Sequence, residues 1–294
     1  MGIPAFHPDG VLDPVPWDHR LTRSEGQIRV SCYRAGVEAT ILTTPLALPD
    51  AASPASPATT TSPIDVAQPL HARWLGRIDY DQAHALQKRL VEERAADEIG
   101  DQILLLEHPA VLTLGRQSDP SHILADAGQL ADRGIQVKHV ERGGEVTYHG
   151  PGQLVAYPIV HLHERGLLLR PFVRALEEAL IQTCAAHGVM AGRRDGHPGC
   201  WCDPNGAAPR KIGALGLRVE RGVTYHGIAL NLTVDLRDFD LIDPCGMPGV
   251  VSTSIAHELG EPQAPPSTAS VERAAWIFAQ AFADAIHAPL RCEA

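Results

Sequence analysis

Between Arg142 and Gln153 the chain reads RGGEVTYHGPGQ, four glycines and a proline around the alternating core Val146, Thr147, Tyr148 and His149. Glycine loses more freedom on folding than any other residue, so this density needs a cause. The usual causes are positive φ angles or a backbone that must approach another group closely. Val146–Gly150, VTYHG, recurs as Val223–Gly227. The plainest reading is a glycine-rich β-hairpin; the richer one is a backbone that lies against a ligand. His149, at the centre, is of the type that titrates near neutral pH.

The 294 residues carry 25 Lys and Arg against 35 Asp and Glu, a formal charge of −10. That balance excludes a general nucleic-acid binder. Charge is unevenly spread: Lys138–Arg221 holds eleven basic and eight acidic residues, while residues 1–70 hold four and seven. The middle of the chain is therefore suited to an acidic partner. There is no basic segment followed by an apolar run at the N-terminus, and no ~18-residue apolar stretch. No signal peptide and no membrane span are expected. The six cysteines (Cys32, Cys184, Cys200, Cys202, Cys245, Cys292) then read as free thiols in a reducing, cytoplasmic compartment.

Residues 1–43 show no clear periodicity, and 44–70 are rich in Pro, Ala, Ser and Thr. Such composition cannot bury enough apolar surface to offset its ordering entropy. Residues 1–70 are expected to be an N-terminal extension, largely disordered from 44 to 68, and residues 71–290 the functional domain. Strands are expected at 72–78, 101–106, 111–114, 135–140 and 154–160, and a helix at 81–97. Pro171–His187 has Val173, Leu176, Leu180 and Cys184 on one helical face, with Pro in its first turn and Gly188 as a stop. Cys184 thus reads as a small core residue. Residues 193–210 read as a loop rich in Gly, Pro and Arg, followed by strands at 211–220 and 222–234. A last helix at 270–287 buries Ala274, Ala275, Phe278, Phe282, Ala285 and Ile286. Strand runs mixed with three separated helices predict an α+β fold around one sheet.

Three candidates carry chemistry. Cys245 sits in Asp243-Pro244-Cys245-Gly246-Met247-Pro248, a rigid irregular loop rather than a helix face. Lys211 opens a strand of small and apolar residues, so it is either a snorkelling strand end or a desolvated amine. His149 and His226, one in each VTYHG, could ligate a metal, but Cys200-Trp201-Cys202 is a lone CxC without a second pair, so no metal is expected. The glycine stretch has neither the phosphate-cradling GxxxxGK[ST] nor a GxGxxG fingerprint, and Ser252 and Ser254 lack a GxSxG context.

RGGEVTYHGPGQLVAYPI, RKIGALGLRVERGVTYHGIALNL and the DPCG loop, in that order, resemble the bacterial lipoyl (octanoyl) transferases, as does LLLEHPAVLTLGR at Leu104–Arg116. The likeness runs from about His71 to the last helix. It implies a mixed sheet flanked by helices, related to the catalytic modules of biotin and lipoate protein ligases. It implies octanoyl transfer from acyl carrier protein to a lysine of lipoyl domains in 2-oxoacid dehydrogenases and the glycine cleavage H protein. By motif position, Cys245 is the acyl-thioester nucleophile and Lys211 its acid/base partner. Arg142, Gly143, Gly144, Glu145, Val146, Thr147, Tyr148 and His149 line the substrate site. Ala214, Leu215 and Gly216, with Gly227, Ile228 and Ala229, supply further binding backbone. By analogy the chain is a monomer without cofactor, membrane or nucleic-acid partner, and the reaction needs no ATP. Cys200 departs from the family pattern, which has an aliphatic residue there. The alternatives are an ATP-dependent lipoate or biotin ligase, a Cys–His hydrolase with His149 as base, and a non-catalytic binder of acyl chains or carrier domains.

Overall fold

A computed structural model describes residues 18–24, 27–34, 37–42, 68–243, 249–261 and 268–293. The chain forms two units, Met1–Ile64 (with Ala294) and Asp65–Glu293. In the first, β1 (Asp18–Ser24), β2 (Gln27–Arg34) and β3 (Val37–Leu42) make an antiparallel meander. Ser24 pairs with Gln27 and Arg34 with Val37. The separating pairs, Glu25-Gly26 and Ala35-Gly36, each end in glycine, a short-hairpin signal independent of hydrophobic periodicity. Of the stretch expected to be disordered, 44–67 lies outside the described residues.

The second unit begins with β4 (Leu70–Arg77), α1 (Tyr80–Ala95), β5 (Gln102–Glu107), β6 (Val111–Leu114), α2 (Ala127–Asp132), β7 (Gln136–His139), β8 (Val146–His149) and β9 (Gln153–Ile159). It continues with α3 (Leu169–Ala186), β10 (Gly192–Arg194), β11 (His197–Cys202), β12 (Arg210–Glu220), β13 (Val223–Asn231), β14 (Val251–Ser252), α4 (Ile255–Glu258), α5 (Thr268–Ala285) and β15 (Leu290–Glu293). Eight strands form a mixed sheet ordered β10-β11-β12-β13-β9-β5-β4-β15, and β14 adds in parallel at the start of β12. The α+β expectation holds.

Both faces of this sheet are covered, which is why β5 is an unbroken apolar run rather than an alternating one. Ile103 and Leu105 join Phe172, Leu176, Leu180, Phe278 and Phe282 of α3 and α5 on one side. Leu104 and Leu106 join Ala83, Leu90 and Val91 of α1 on the other. Cys184 is fully buried in the first cluster, as its helix position predicted.

A separate small sheet, β7-β6-β8, holds the first VTYHG. The glycine stretch is therefore not a simple hairpin: β8 belongs to the small sheet, and Gly150-Pro151-Gly152 turns the chain into β9 of the large one. Gly152 has φ +84, and a Cβ there would lie 2.8 Å from backbone atoms of Thr233 and Val234. Residues 193–210, read as a loop, contain β11 and most of β10.

Candidate functional site

Lys211 lies at the start of β12, paired with Trp201 of β11 on one side and Ser252 of β14 on the other. It is buried, 8% exposed, with Nζ 5.3 Å from the Trp201 ring centroid, a cation–π contact. Trp201 is fixed in turn, its Nε1–H donating to His197 O at 3.0 Å. Gly199 leaves room for the lysine stem: a Cβ there would meet Lys211 Cε at 3.2 Å and Gly213 O at 2.6 Å. Beside Lys211 is a small pocket, partly open to solvent, lined by residues that include Thr147, Gln153, Ala214, Asn231 and Ser252.

The segments singled out in the sequence meet next to this pocket. Ala214, Leu215 and Gly216 pair across β12 and β13 with Ala229, Ile228 and Gly227, residue for residue. The Arg142 loop docks on the same place, Gly143 N–H donating to Leu217 O at 2.9 Å. Arg142 Nη2 donates to Thr113 O at 2.6 Å and Nη1 to Gly143 O at 3.1 Å, so the guanidinium shapes its own loop. A Cβ on Gly115 would collide with Gly144 O, and one on Gly216 would sit 2.9 Å from Gly143 O. The glycines here serve close backbone approach. Within β8, Val146 and Tyr148 turn into the apolar core of the small sheet, while Thr147 faces the pocket. Glu145 turns away, its Oε2 3.2 Å from His122 Nδ1.

A chain of amides, missed in the sequence, ties these strands together. Gln153 Nε2 donates to Tyr148 O at 3.1 Å and to Asn231 Oδ1 at 2.9 Å. Its oxygen therefore faces His149 Nδ1, 2.8 Å away, and the imidazole must carry its proton on Nδ1. Asn231 Nδ2 donates to Thr253 O at 2.9 Å, and Thr253 N–H donates to Lys211 O at 3.0 Å. The only sequence cue to Gln153 and Asn231 is a polar residue at one end of an apolar strand. Burial, then the nearby His108, push His149 down to about 3, so it is neutral at physiological pH and a weak base.

Cys245 lies outside the described residues. Its flanks are fixed: Asp243 N–H donates to His122 O at 2.8 Å, and the chain returns at Val251–Ser252 beside Arg210 and Lys211. Cys200 and Cys202 are buried. A hydrogen bond with Cys184, then burial, push the Cys200 thiol far up; burial pushes Cys202 up to about 12. Protonated, shielded thiols of this kind are inert. The departure at Cys200 is thus a core substitution rather than a second reactive centre.

A mixed sheet covered by helices, with a lysine-bearing pocket where the glycine loop meets it, defines a lipoyl-ligase type of catalytic domain. The chain belongs to the lipoyl protein ligase A/B catalytic domain family, which residues 79–283 match. The octanoyltransferase of Acidobacterium capsulatum is 49% identical over 216 residues, 71% of this chain and 88% of that protein. Octanoyltransferases of Chloroflexus aurantiacus and Burkholderia lata are 46% and 42% identical, covering 73% and 74% of this chain and 94% and 81% of theirs. Among solved structures, a bi-partite lipoate protein ligase from Thermoplasma acidophilum has a TM-score of 0.54 at 13% identity, covering 77% of this chain and 87% of its own. Lipoate-protein ligase A bound with ATP has a TM-score of 0.51 at 14% identity, covering 77% and 88%. At such identities these two share the fold alone. Among the described residues, no helix is long and apolar enough to cross a membrane.

Proposed function

We propose that this chain transfers an octanoyl group from the thioester of acyl carrier protein to a lysine of lipoyl domains. The observation that carries the reaction is 49% identity to an octanoyltransferase across most of both chains. Lys211, buried beside the pocket where the glycine segments converge, supports the mechanism. The Cys245 thiolate attacks the acyl carbonyl, and the carrier leaves as a thiol with a proton from Lys211. The acceptor amine then attacks the Cys245 thioester, gives its proton to the now neutral Lys211, and Cys245 departs as the thiolate. Backbone N–H groups of the glycine segments stabilise the oxyanion in both halves. The backbone of Arg142–His149, Ala214–Gly216 and Gly227–Ala229 borders the acyl path; the Thr147 side chain faces it, those of Glu145, Val146 and Tyr148 turn away, and His149 is a positioning residue.

We further read residues 71–290 as a catalytic domain that works as a monomer, and 1–70 as an extension outside it. The acceptors are lipoyl domains of 2-oxoacid dehydrogenases and the glycine cleavage H protein. A free catalytic thiol suits a reducing compartment, and we place the reaction in the cytoplasm.

Intact-mass spectrometry with octanoyl-carrier thioester tests the reading. Wild type gains one octanoyl group on Cys245 and loses it when apo lipoyl domain is added, and Cys245→Ala gains none. Lys211→Ala slows both steps by about 10²-fold or more. An adduct on Cys200, or normal rates without Lys211, would remove the Cys–Lys mechanism. Transfer from free octanoate with ATP, but not from the thioester, would make the chain a ligase.

A further inference from the structure

Three side chains that the proposed reaction does not use converge where α1, the Arg142 loop and β13 meet. His84, Glu141 and His226 each offer one ligand-type atom, and the three atoms lie within 4.8 Å of one another. His84 Nε2 is 3.0 Å from Glu141 Oε1, and the two imidazoles stack with centroids 5.5 Å apart. His226 is 1% exposed, and its Nε2 has no hydrogen-bond partner among the described residues. A buried polar atom left unpaired is destabilising, because it has lost its water without gaining a partner. The same residue has φ +54, where a non-glycine side chain is strained. Gln87 holds it there, its Oε1 accepting the His226 N–H at 2.8 Å. An imidazole with an orphaned ring nitrogen and a strained backbone, stacked on a second imidazole and beside a carboxylate, is a ligand set held in place.

We infer that His84, Glu141 and His226 form a binding site for a divalent ion of the zinc class. Two imidazoles and one carboxylate suit such an ion, and three protein ligands leave a position for water. Tyr225 O–H donates to Glu141 Oε1 at 3.1 Å, the outer hydrogen bond that orients a ligating carboxylate. The neighbouring cations are already engaged, Lys88 with Glu220 at 2.7 Å and Arg142 with Thr113. The ion ties α1 to two segments bordering the pocket region, since Glu141 precedes Arg142 and His226 precedes Gly227. The ligands are too far apart in sequence to form any metal-spacing motif, which is why the sequence pointed away from a metal.

The test titrates the full chain, stripped with EDTA, with Zn²⁺ by calorimetry and with Co²⁺ by visible spectroscopy. One zinc binds per chain and raises Tm, and Co²⁺ gives the strong d–d bands of a four- or five-coordinate site. His84→Ala and Glu141→Gln each weaken zinc binding about tenfold or more. In the double variant the Tm no longer responds to zinc. Both side chains are part-exposed, at 28% and 34%, so the substitutions leave the core intact. Cys292→Ala and Cys245→Ser keep wild-type zinc affinity. No binding, unchanged affinity in the double variant, or loss of affinity in either cysteine variant overturns the site.

Discussion

Gly216 and Gly227 face each other across β12 and β13, and an added methyl group would meet a different obstacle at each. At Gly216 the Cβ lies 2.9 Å from Gly143 O and 3.3 Å from Arg142 Cδ, parts of a loop that can shift. At Gly227 it runs into Ala156 O, in the middle of the large sheet. Gly216→Ala should therefore keep its stability and lose about 10²-fold in kcat/KM, because the displaced loop no longer fits the acyl group. Gly227→Ala should lose about 1–3 kcal/mol through overpacking, read as a lower urea midpoint. The opposite pattern would mean that the loop at Gly216 is structural rather than functional. The density of glycine was visible in the sequence, but not which glycine does what, because each obstacle comes from a distant segment. Trp201 and Gly199, which hold the Lys211 stem, were hidden for the same reason: their partner is on the neighbouring strand.

At the scale of elements, what could be read followed the strength of local pattern. α1, α3 and α5 have apolar faces at helical spacing, and β5 is a continuous apolar run, so all four were legible. β10 and β11 were not: Gly192–Arg194 is three residues, and His197–Cys202 reads HPGCWC, where turn residues mask the strand. β14 is two residues placed by a non-local pairing with β12. That pairing is what returns the chain after Cys245 to Lys211, so the sequence showed both candidate groups but not the geometry relating their segments. The Gln153–Asn231–Thr253 chain fixes this return from below. Asn231→Leu removes one acceptor from Gln153 and the donor to Thr253 O. It should cost about 1–3 kcal/mol and loosen Val251–Ser252. Amide hydrogen exchange of Val251–Ser252 should quicken more than that of β5; uniform change across the sheet would show a purely global effect.

Across the whole molecule the large sheet has two unlike faces. The α3–α5 face is apolar, whereas the α1 face carries a layer of rings, with Tyr80 5.1 Å from His108 and His108 5.9 Å from both His149 and Tyr157. His108 Nδ1 can only donate to Ile78 O, 2.8 Å away, so its Nε2 accepts from the Tyr157 hydroxyl, also at 2.8 Å. A proton on Nε2 would reverse that bond and force the buried Tyr157 hydroxyl proton to seek another acceptor. Burial pushes His108 down to about 4 and His149, aided by His108, to about 3. In the unfolded chain both titrate near 6.5. Above that pH both states are neutral and the fold has its full stability. As the pH falls below 6.5 the unfolded chain takes up protons that the native state refuses, so stability declines toward pH 4 and 3. The slope is about 1.4 kcal/mol per pH unit for each group at most. Glu141 and Glu258 are both lowered to about 2, against the pull of burial in each. Their hydrogen bonds, from the backbone and His84 at Glu141 and from Arg210 at Glu258, lose stability only as the pH falls below the usual carboxylate range, about 4.3. Between pH 7.5 and 5 these histidines, with His226, which burial also pushes down to about 3, therefore dominate, and urea unfolding should show a loss of about 2–6 kcal/mol. His108→Gln starts less stable at pH 7.5 but should show a visibly shallower decline. A flat profile over that range in wild type would mean that these rings are protonated in the folded protein, and that the layer is held by charge rather than by neutral hydrogen bonds.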